Sequence, residues 1–253
     1  MRKNRIFCAQ RQGDVSTHPE SCENEALEGN YESAKPDAFP HASFFMTIKE
    51  DIRALAKKFA NELKRNFDER VVVMEKDDRS HVLIYRVLGI SQAEGKLIDV
   101  YQNKGRFLYK YAGSFLEDAT KLCFKQKFPD SAPKRVENTR GKKPKLFGID
   151  CLVDKDALEI KWRDATTDGD HITKEHTRMQ AVHDAGNRPV RVMFYYPNRE
   201  QAIRIQQALE SLYRSVGGHY VYGDAAWQYV KDRTQVDLRA ILEELANEKE
   251  KNG

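Results

Sequence analysis

Gly148-Ile-Asp-Cys-Leu-Val-Asp-Lys-Asp-Ala-Leu-Glu-Ile-Lys161 is the stretch on which the fold turns. Two short apolar-rich runs, Leu146 to Val153 and Ala157 to Trp162, flank Asp154-Lys155. That composition predicts a β-hairpin. A turn at Asp154-Lys155 sets Val153 opposite Asp156, Leu152 opposite Ala157 and Asp150 opposite Glu159. Opposed residues of an antiparallel pair share a face, with Cβ atoms ~4.5–5.5 Å apart. Lys161, two residues past Glu159, shares that face too. A one-residue slip would scatter the set. Carboxylates that close repel unless positive charge sits between them. Mg²⁺ meets that need, because it takes oxygen ligands from one or two carboxylates, phosphate and water. A lysine beside them can orient or help deprotonate a water. Asp, Glu and Lys on one strand pair outline a site for phosphodiester hydrolysis. The same spacing also fits an exposed hairpin in which Glu159 and Lys161 form a surface pair.

The flanks place the hairpin in a mixed sheet. Downstream, Ile172 to Ala185 reads as a helix with Met179 and Val182 inward. Val190 to Tyr196 is an apolar and aromatic run broken by Arg191 and ended by Pro197, which suits a buried parallel strand. Asn198-Arg-Glu-Gln201 opens a helix whose apolar face is Ile205, Leu209, Leu212 and Val216. Gly217-Gly218 closes it, and His219 to Tyr222 is the last strand, completing a βαβ unit. Two helices follow. Upstream, Thr47-Ile-Lys-Glu50 and Ser91-Gln-Ala-Glu94 are capping boxes. The first opens a helix with Ile52, Leu55, Phe59 and Leu63 at helical spacing, and the second a helix with Leu97 and Val100. Asp78 is expected to cap a short helix between them, stopped by Gly89. Arg106 to Lys127 forms one long helix or two broken near Gly113. Pro129 to Lys145 reads as loop. The expected architecture is α/β, a mixed central sheet flanked by helices and preceded by a helical subdomain. Residues 1–45 form an irregular arm, 46–128 the helical subdomain, 129–236 the core and 237–253 a C-terminal helix.

Composition narrows the classes. At 32% charged residues the chain is polar for a globular protein, yet its aromatic residues are spread through most of it, which argues against disorder. Its longest apolar runs, Val71 to Met74 and Val82 to Tyr85, fall far short of the ~20 residues that span a bilayer. No apolar stretch follows the basic start, which excludes a secretory signal. Cys8, Cys22, Cys123 and Cys151 show no Cys-x-x-Cys spacing and fit a reducing cytoplasm. Cys8, His18, Cys22 and His41 match no familiar zinc ribbon or finger and read as surface residues. His171, His176 and His183 read as polar-face residues. The net charge of +4 hints only weakly at a polyanionic partner. The run Lys134 to Lys145, with six basic residues and one acidic, says more, because it leads directly into the carboxylate hairpin.

Asp150-x8-Glu159-Ile-Lys161 resembles the core of the PD-(D/E)xK nucleases, with Ile149 where proline is frequent. Gly105-Arg-Phe-Leu-Tyr-Lys-Tyr-Ala-Gly-Ser-Phe-Leu-Glu-Asp118 and Glu159-Ile-Lys-Trp-Arg-Asp-Ala-Thr-Thr-Asp-Gly-Asp-His-Ile-Thr-Lys-Glu-His176 resemble the ApaLI-like type II restriction endonucleases over about residues 45–235. The resemblance implies a restriction-endonuclease-like core and Mg²⁺-dependent double-strand cuts in DNA at a short palindrome, leaving 5′-phosphate and 3′-hydroxyl ends. Asp150, Glu159 and the Ile160 carbonyl would bind Mg²⁺, and Lys161 would position the attacking water. Glu117 would assist from a preceding helix, although Ser114-Phe-Leu-Glu117 is also a capping-box pattern. Lys142 and Lys143 of the basic run, Arg163, Thr166 and Thr167 of the loop after the hairpin, and Lys174 are the expected DNA contacts. A homodimer, a partner methyltransferase protecting host DNA, and a bacterial or archaeal cytoplasm are implied too. A repair or structure-specific nuclease with the same core, or a non-catalytic DNA-binding module, are the rivals.

Overall fold

The computed structural model describes residues 47–141, 143–164, 166 and 169–251. Lys142, Thr167 and the cysteines and histidines of residues 1–45 lie outside them.

Three helices open the described chain. They are α1 (Ile48–Glu75), α2 (Val82–Val87) and α3 (Gln92–Lys127). Both capping boxes act as expected: the Thr47 and Ser91 hydroxyls accept from the amides of Glu50 and Glu94. Asp78 does not cap α2. Its carboxylate accepts from Ser80, and α2 starts after His81 without a side-chain cap. Helix α3 runs 36 residues through Gly113, since a single glycine costs about 1 kcal/mol and the apolar stripe on either side is continuous. Ser114 therefore lies inside a helix, and Ser114-Phe-Leu-Glu117 opens none. Asn66 of α1 donates to the Tyr111 hydroxyl of α3 at 2.7 Å, and Phe59 meets the edges of Tyr111 and Phe115.

The sheet follows as β1 (Ala132–Glu137), β2 (Leu146–Val153), β3 (Asp156–Arg163), β4 (Arg188–Tyr195) and β5 (His219–Tyr222). The strands lie side by side in that order. β1, β2 and β3 pair antiparallel, and β3, β4 and β5 parallel. The connections are α4 (Asp170–Asp184) between β3 and β4 and α5 (Glu200–Ser215) between β4 and β5. α5 begins after Arg199 without a side-chain cap, so Asn198 does not cap it. Helices α6 (Asp224–Thr234) and α7 (Leu238–Lys251) end the chain.

β1 corrects the reading of 129–145 as loop. Only Val136 of this strand is buried, so no alternation betrays it, and Pro133, Lys134 and Arg135 are residues suited to an unpaired sheet edge. The rest of the basic run is the hairpin loop between β1 and β2. Asn138 organises it, accepting from the amides of Arg140 and Gly141 and donating to the Pro144 carbonyl. Arg140 ties it to α4 through Asp184 at 2.6 Å.

Both faces of the sheet are covered. On one, Leu158, Ile160, Val190, Val192 and Phe194 pack with Leu116, Ala119 and Phe124 of α3 and with residues of α1, α6 and α7. On the other, Met193, Tyr220 and Ala157 meet α4 and α5. β2 changes sides. Phe147 and Ile149 pack with Ala181 and Val182 of α4, but Cys151 and Val153 pack with the α3 layer. Strict alternation would keep all four on one face. The switch falls at Asp150, where the β1–β2 pairing slips register.

Candidate active site

The expected hairpin register is present. Val153 pairs with Asp156, Leu152 with Ala157 and Cys151 with Leu158, and the ladder ends there. Asp154 holds the turn at φ 54°, a conformation that Asp tolerates better than most residues. One step beyond the last pair, the Ile160 amide donates to the Asp150 carboxylate at 2.8 Å instead of to a strand. The side chain thus replaces a missing ladder bond, and Asp150 is fixed beside Glu159.

Glu159 is buried on the α4–α5 side. Lys161 Nζ lies 2.6 Å from one of its oxygens and Arg178 of α4 lies 2.8 Å from the other. Burial raises the Asp150 carboxyl to about 6, helped by the charges of Glu159 and Glu117 and opposed by the Ile160 amide and Lys161. Burial alone would lower the Lys161 ammonium, but Glu159 outweighs it and the net direction is up. Glu117 stands on α3 with Lys121 at 2.6 Å. Glu159 and Glu117 each have a cation at ion-pair distance, whereas among the described residues Asp150 has none, and its charge is the one left to be offset.

A hard divalent cation would relieve that condition. The donors, two carboxylates and the Ile160 carbonyl, are all oxygen, and Mg²⁺ commonly takes one or two protein carboxylates with phosphate and water. Among the described residues no three His, Cys, Asp or Glu side chains are arranged to hold a metal.

A buried ionic network behind Glu159 is the part that sequence reasoning missed. Arg178 also grips Glu175 at 2.7 Å and the Tyr213 hydroxyl at 2.7 Å. Arg191, fully buried in β4, reaches Glu175 at 3.3 Å and Asp164 at 2.5 Å. Burial would raise the Asp164 carboxyl, but His171, at 3.1 Å, and Arg191 hold it at about 2. Asp164 opens the segment after β3, so the network joins β3 to the start of that segment. One sign of it was legible, an arginine inside an otherwise apolar strand.

The expected DNA contacts are dispersed. Arg163 is exposed at the end of β3 and donates to Tyr109 of α3 at 3.1 Å. The Thr166 amide donates to Asp164. Lys143 in the β1–β2 loop and Lys174 on α4 are exposed. Among the described residues, neither lysine joins the ion pairs of the carboxylate cluster.

A comparison with known families matches residues 23–247 to the ApaLI-like restriction endonucleases. No curated protein and no solved structure matches the chain. With most of its length matched, and with Asp150, Glu159 and Lys161 gathered at the open end of a hairpin in a mixed sheet, the chain belongs to the ApaLI-like restriction endonuclease family.

Proposed function

We propose that this chain is a type II restriction endonuclease that cuts both strands of DNA at a short palindrome in a Mg²⁺-dependent reaction. The observation that carries this reading is the seating of Asp150 beside Glu159 and Lys161 where the β2–β3 ladder stops. Asp150, Glu159 and the Ile160 carbonyl would hold Mg²⁺, which supplies stabilisation of the charge developing on the phosphate and the leaving oxygen. Lys161, kept protonated beside Glu159, orients the attacking water, whose proton leaves to solvent. Glu159 is held for this task by Arg178, and Glu117 supports the site from α3. Water attacks phosphorus in line, the bond to the 3′ oxygen breaks, and the products carry 5′-phosphate and 3′-hydroxyl ends. Lys142, Lys143, Arg163, Thr166, Thr167 and Lys174 contact the DNA, phosphates foremost. A palindrome is matched most simply by a two-fold homodimer, each copy cutting one strand. A methyltransferase of matching specificity would protect host DNA.

The test is a digest of long unmethylated phage DNA with Mg²⁺ or with EDTA. Discrete bands that need Mg²⁺ are expected, and Asp150→Ala or Lys161→Ala should bind the same DNA without cutting it. A smear would favour a less selective nuclease. Intact DNA that only shifts in a gel would make the chain a binding module.

A further inference from the structure

Aromatic side chains gather where β3 and β4 end. Lys161 pairs with Met193 and Arg163 with Tyr195, which sets Trp162 beside Phe194 in the layer that meets α3. Tyr109 of α3 flanks Trp162 at 5.0 Å between ring centroids. Trp227 of α6 flanks Phe194 at 4.3 Å and Tyr195 at 6.1 Å. Beyond this row the ends of β4, α6 and α7 border an open cavity of about 500 Å³. Phe194, Tyr195 and Trp227 supply its aromatic wall, and Asp224, Arg239 and Glu243 its polar one. Tyr195 is half exposed. Arg239 donates to one oxygen of Asp224 at 2.8 Å and to one of Glu243 at 3.0 Å, which leaves the second oxygen of each carboxylate to accept from a ligand.

We infer that this cavity receives one unstacked base of the bound DNA, close to the cut. Charge favours that occupant. Two carboxylates and one guanidinium give the cavity a net negative charge, which repels phosphate and admits the uncharged part of a nucleotide. Chemistry favours it too. Bases drawn out of a duplex are held by stacking on aromatic rings and by hydrogen bonds to the edge that pairing leaves free. Tyr195 and Trp227 supply the rings, and Asp224 and Glu243 accept from the amino groups of guanine, adenine or cytosine. Guanine suits a pair of carboxylates best, with an imino N–H and an amino group side by side on one edge. Place is the third argument. Tyr195 lies one strand across and two residues on from Lys161, roughly 8 Å away, where a base swung out beside the scissile phosphate would fall. That last argument rests on the nuclease reading, whereas charge and lining do not.

The experiment reads the intrinsic fluorescence of the full-length protein, whose two tryptophans are Trp162 and Trp227. In Trp162→Phe, Trp227 alone reports. The four deoxynucleosides, which carry no phosphate, are titrated in turn, with 2-deoxyribose 5-phosphate as control and correction for absorbed light. Saturable quenching by deoxyguanosine is expected, less by thymidine, which has no amino group, and none by the sugar phosphate. Tyr195→Ala should weaken deoxyguanosine binding about 5- to 100-fold, the usual loss of one stacking partner. Glu243→Lys should abolish it, and Arg204→Glu on α5 should leave it unchanged, all with unaltered circular dichroism. In duplexes carrying the site mapped by digestion, 2-aminopurine at one position should brighten on binding without divalent metal, and Tyr195→Ala should remove the rise. The inference is overturned if no deoxynucleoside quenches, or if quenching survives both Tyr195→Ala and Glu243→Lys. Quenching by the sugar phosphate alone, or bound duplexes that brighten at no position, would overturn it as well. Nucleoside binding is read without cleavage, so the cavity can fail while the nuclease reading stands. Equally, a chain that captures deoxyguanosine yet cuts nothing would overturn the nuclease reading alone.

Discussion

Arg178 stands between two buried carboxylates, Glu159 and Glu175, with the Tyr213 hydroxyl as a third partner. Removing one member of such a group leaves uncompensated charge behind and costs about 3–5 kcal/mol. Arg178→Met should therefore lower stability by that order, read as the midpoint of urea unfolding. Below the unfolding range, cleavage should also fall about 10- to 100-fold, the usual cost of releasing a metal-ligating carboxylate from its support. Arg178→Lys should recover part of the stability and less of the rate, since an ammonium cannot span both carboxylates with fixed geometry. Asp150 makes a second prediction. Its carboxyl, raised to about 6 by burial and by Glu159, binds a proton more readily folded than unfolded. Its share of stability is therefore greatest below about pH 4 and is lost as pH rises through 6, by about 2–3 kcal/mol. Asp164, held at about 2, has the opposite sign: its share is present above about pH 4 and lost as pH falls toward 2. Asp150→Asn should flatten the change between pH 4 and 7 in metal-free thermal unfolding. It should also abolish the rise in Tm expected when Mg²⁺ is added to the wild type at pH 8.

At the level of elements, Gly218 is the most exposed to test. A Cβ there would lie 2.5 Å from the Pro189 carbonyl oxygen and 2.9 Å from that of Tyr213. Both obstacles are backbone, so Gly218→Ala must shift β5 or the end of α5. A loss of about 1–3 kcal/mol is expected, visible as a drop in Tm of about 5 °C. The elements legible in the sequence were those with their own periodicity or caps, namely α1, α3, the hairpin of β2 and β3, α4, β4, α5 and β5. The nearness of Asp150, Glu159 and Lys161 was legible because a tight turn fixes which residues oppose each other. β1 was not, because an edge strand with one inward residue has no period to read. The network of Arg178, Glu175, Arg191 and Asp164 was not legible either. Its members come from the segment just after β3, from α4 and from β4, and only the parallel packing of β4 on β3, Glu159 beside Arg191, brings them together.

For the whole molecule, the proposed homodimer makes a prediction that one site alone does not. Wild-type protein mixed with a large excess of Asp150→Ala and allowed to exchange would carry one working centre per dimer. On supercoiled plasmid it should accumulate nicked circles, whereas wild type alone should yield linear DNA. Linear product in proportion to the wild-type fraction would mean that each copy cuts both strands by itself. Helix α3 is the longest single element among the described residues. Its C-terminal half is clamped in the core by Leu116, Ala119, Cys123 and Phe124, its first turns carry Leu97 and Tyr101, and no break separates the two ends. Tyr101 and Glu117 are roughly 24 Å apart along it. An unbroken rod of that length is a lever. Because the core holds the Glu117 end, a tilt of about 5° displaces the Tyr101 end by roughly 2 Å and leaves Glu117 where it is, so the far end can yield to a load without disturbing the carboxylates.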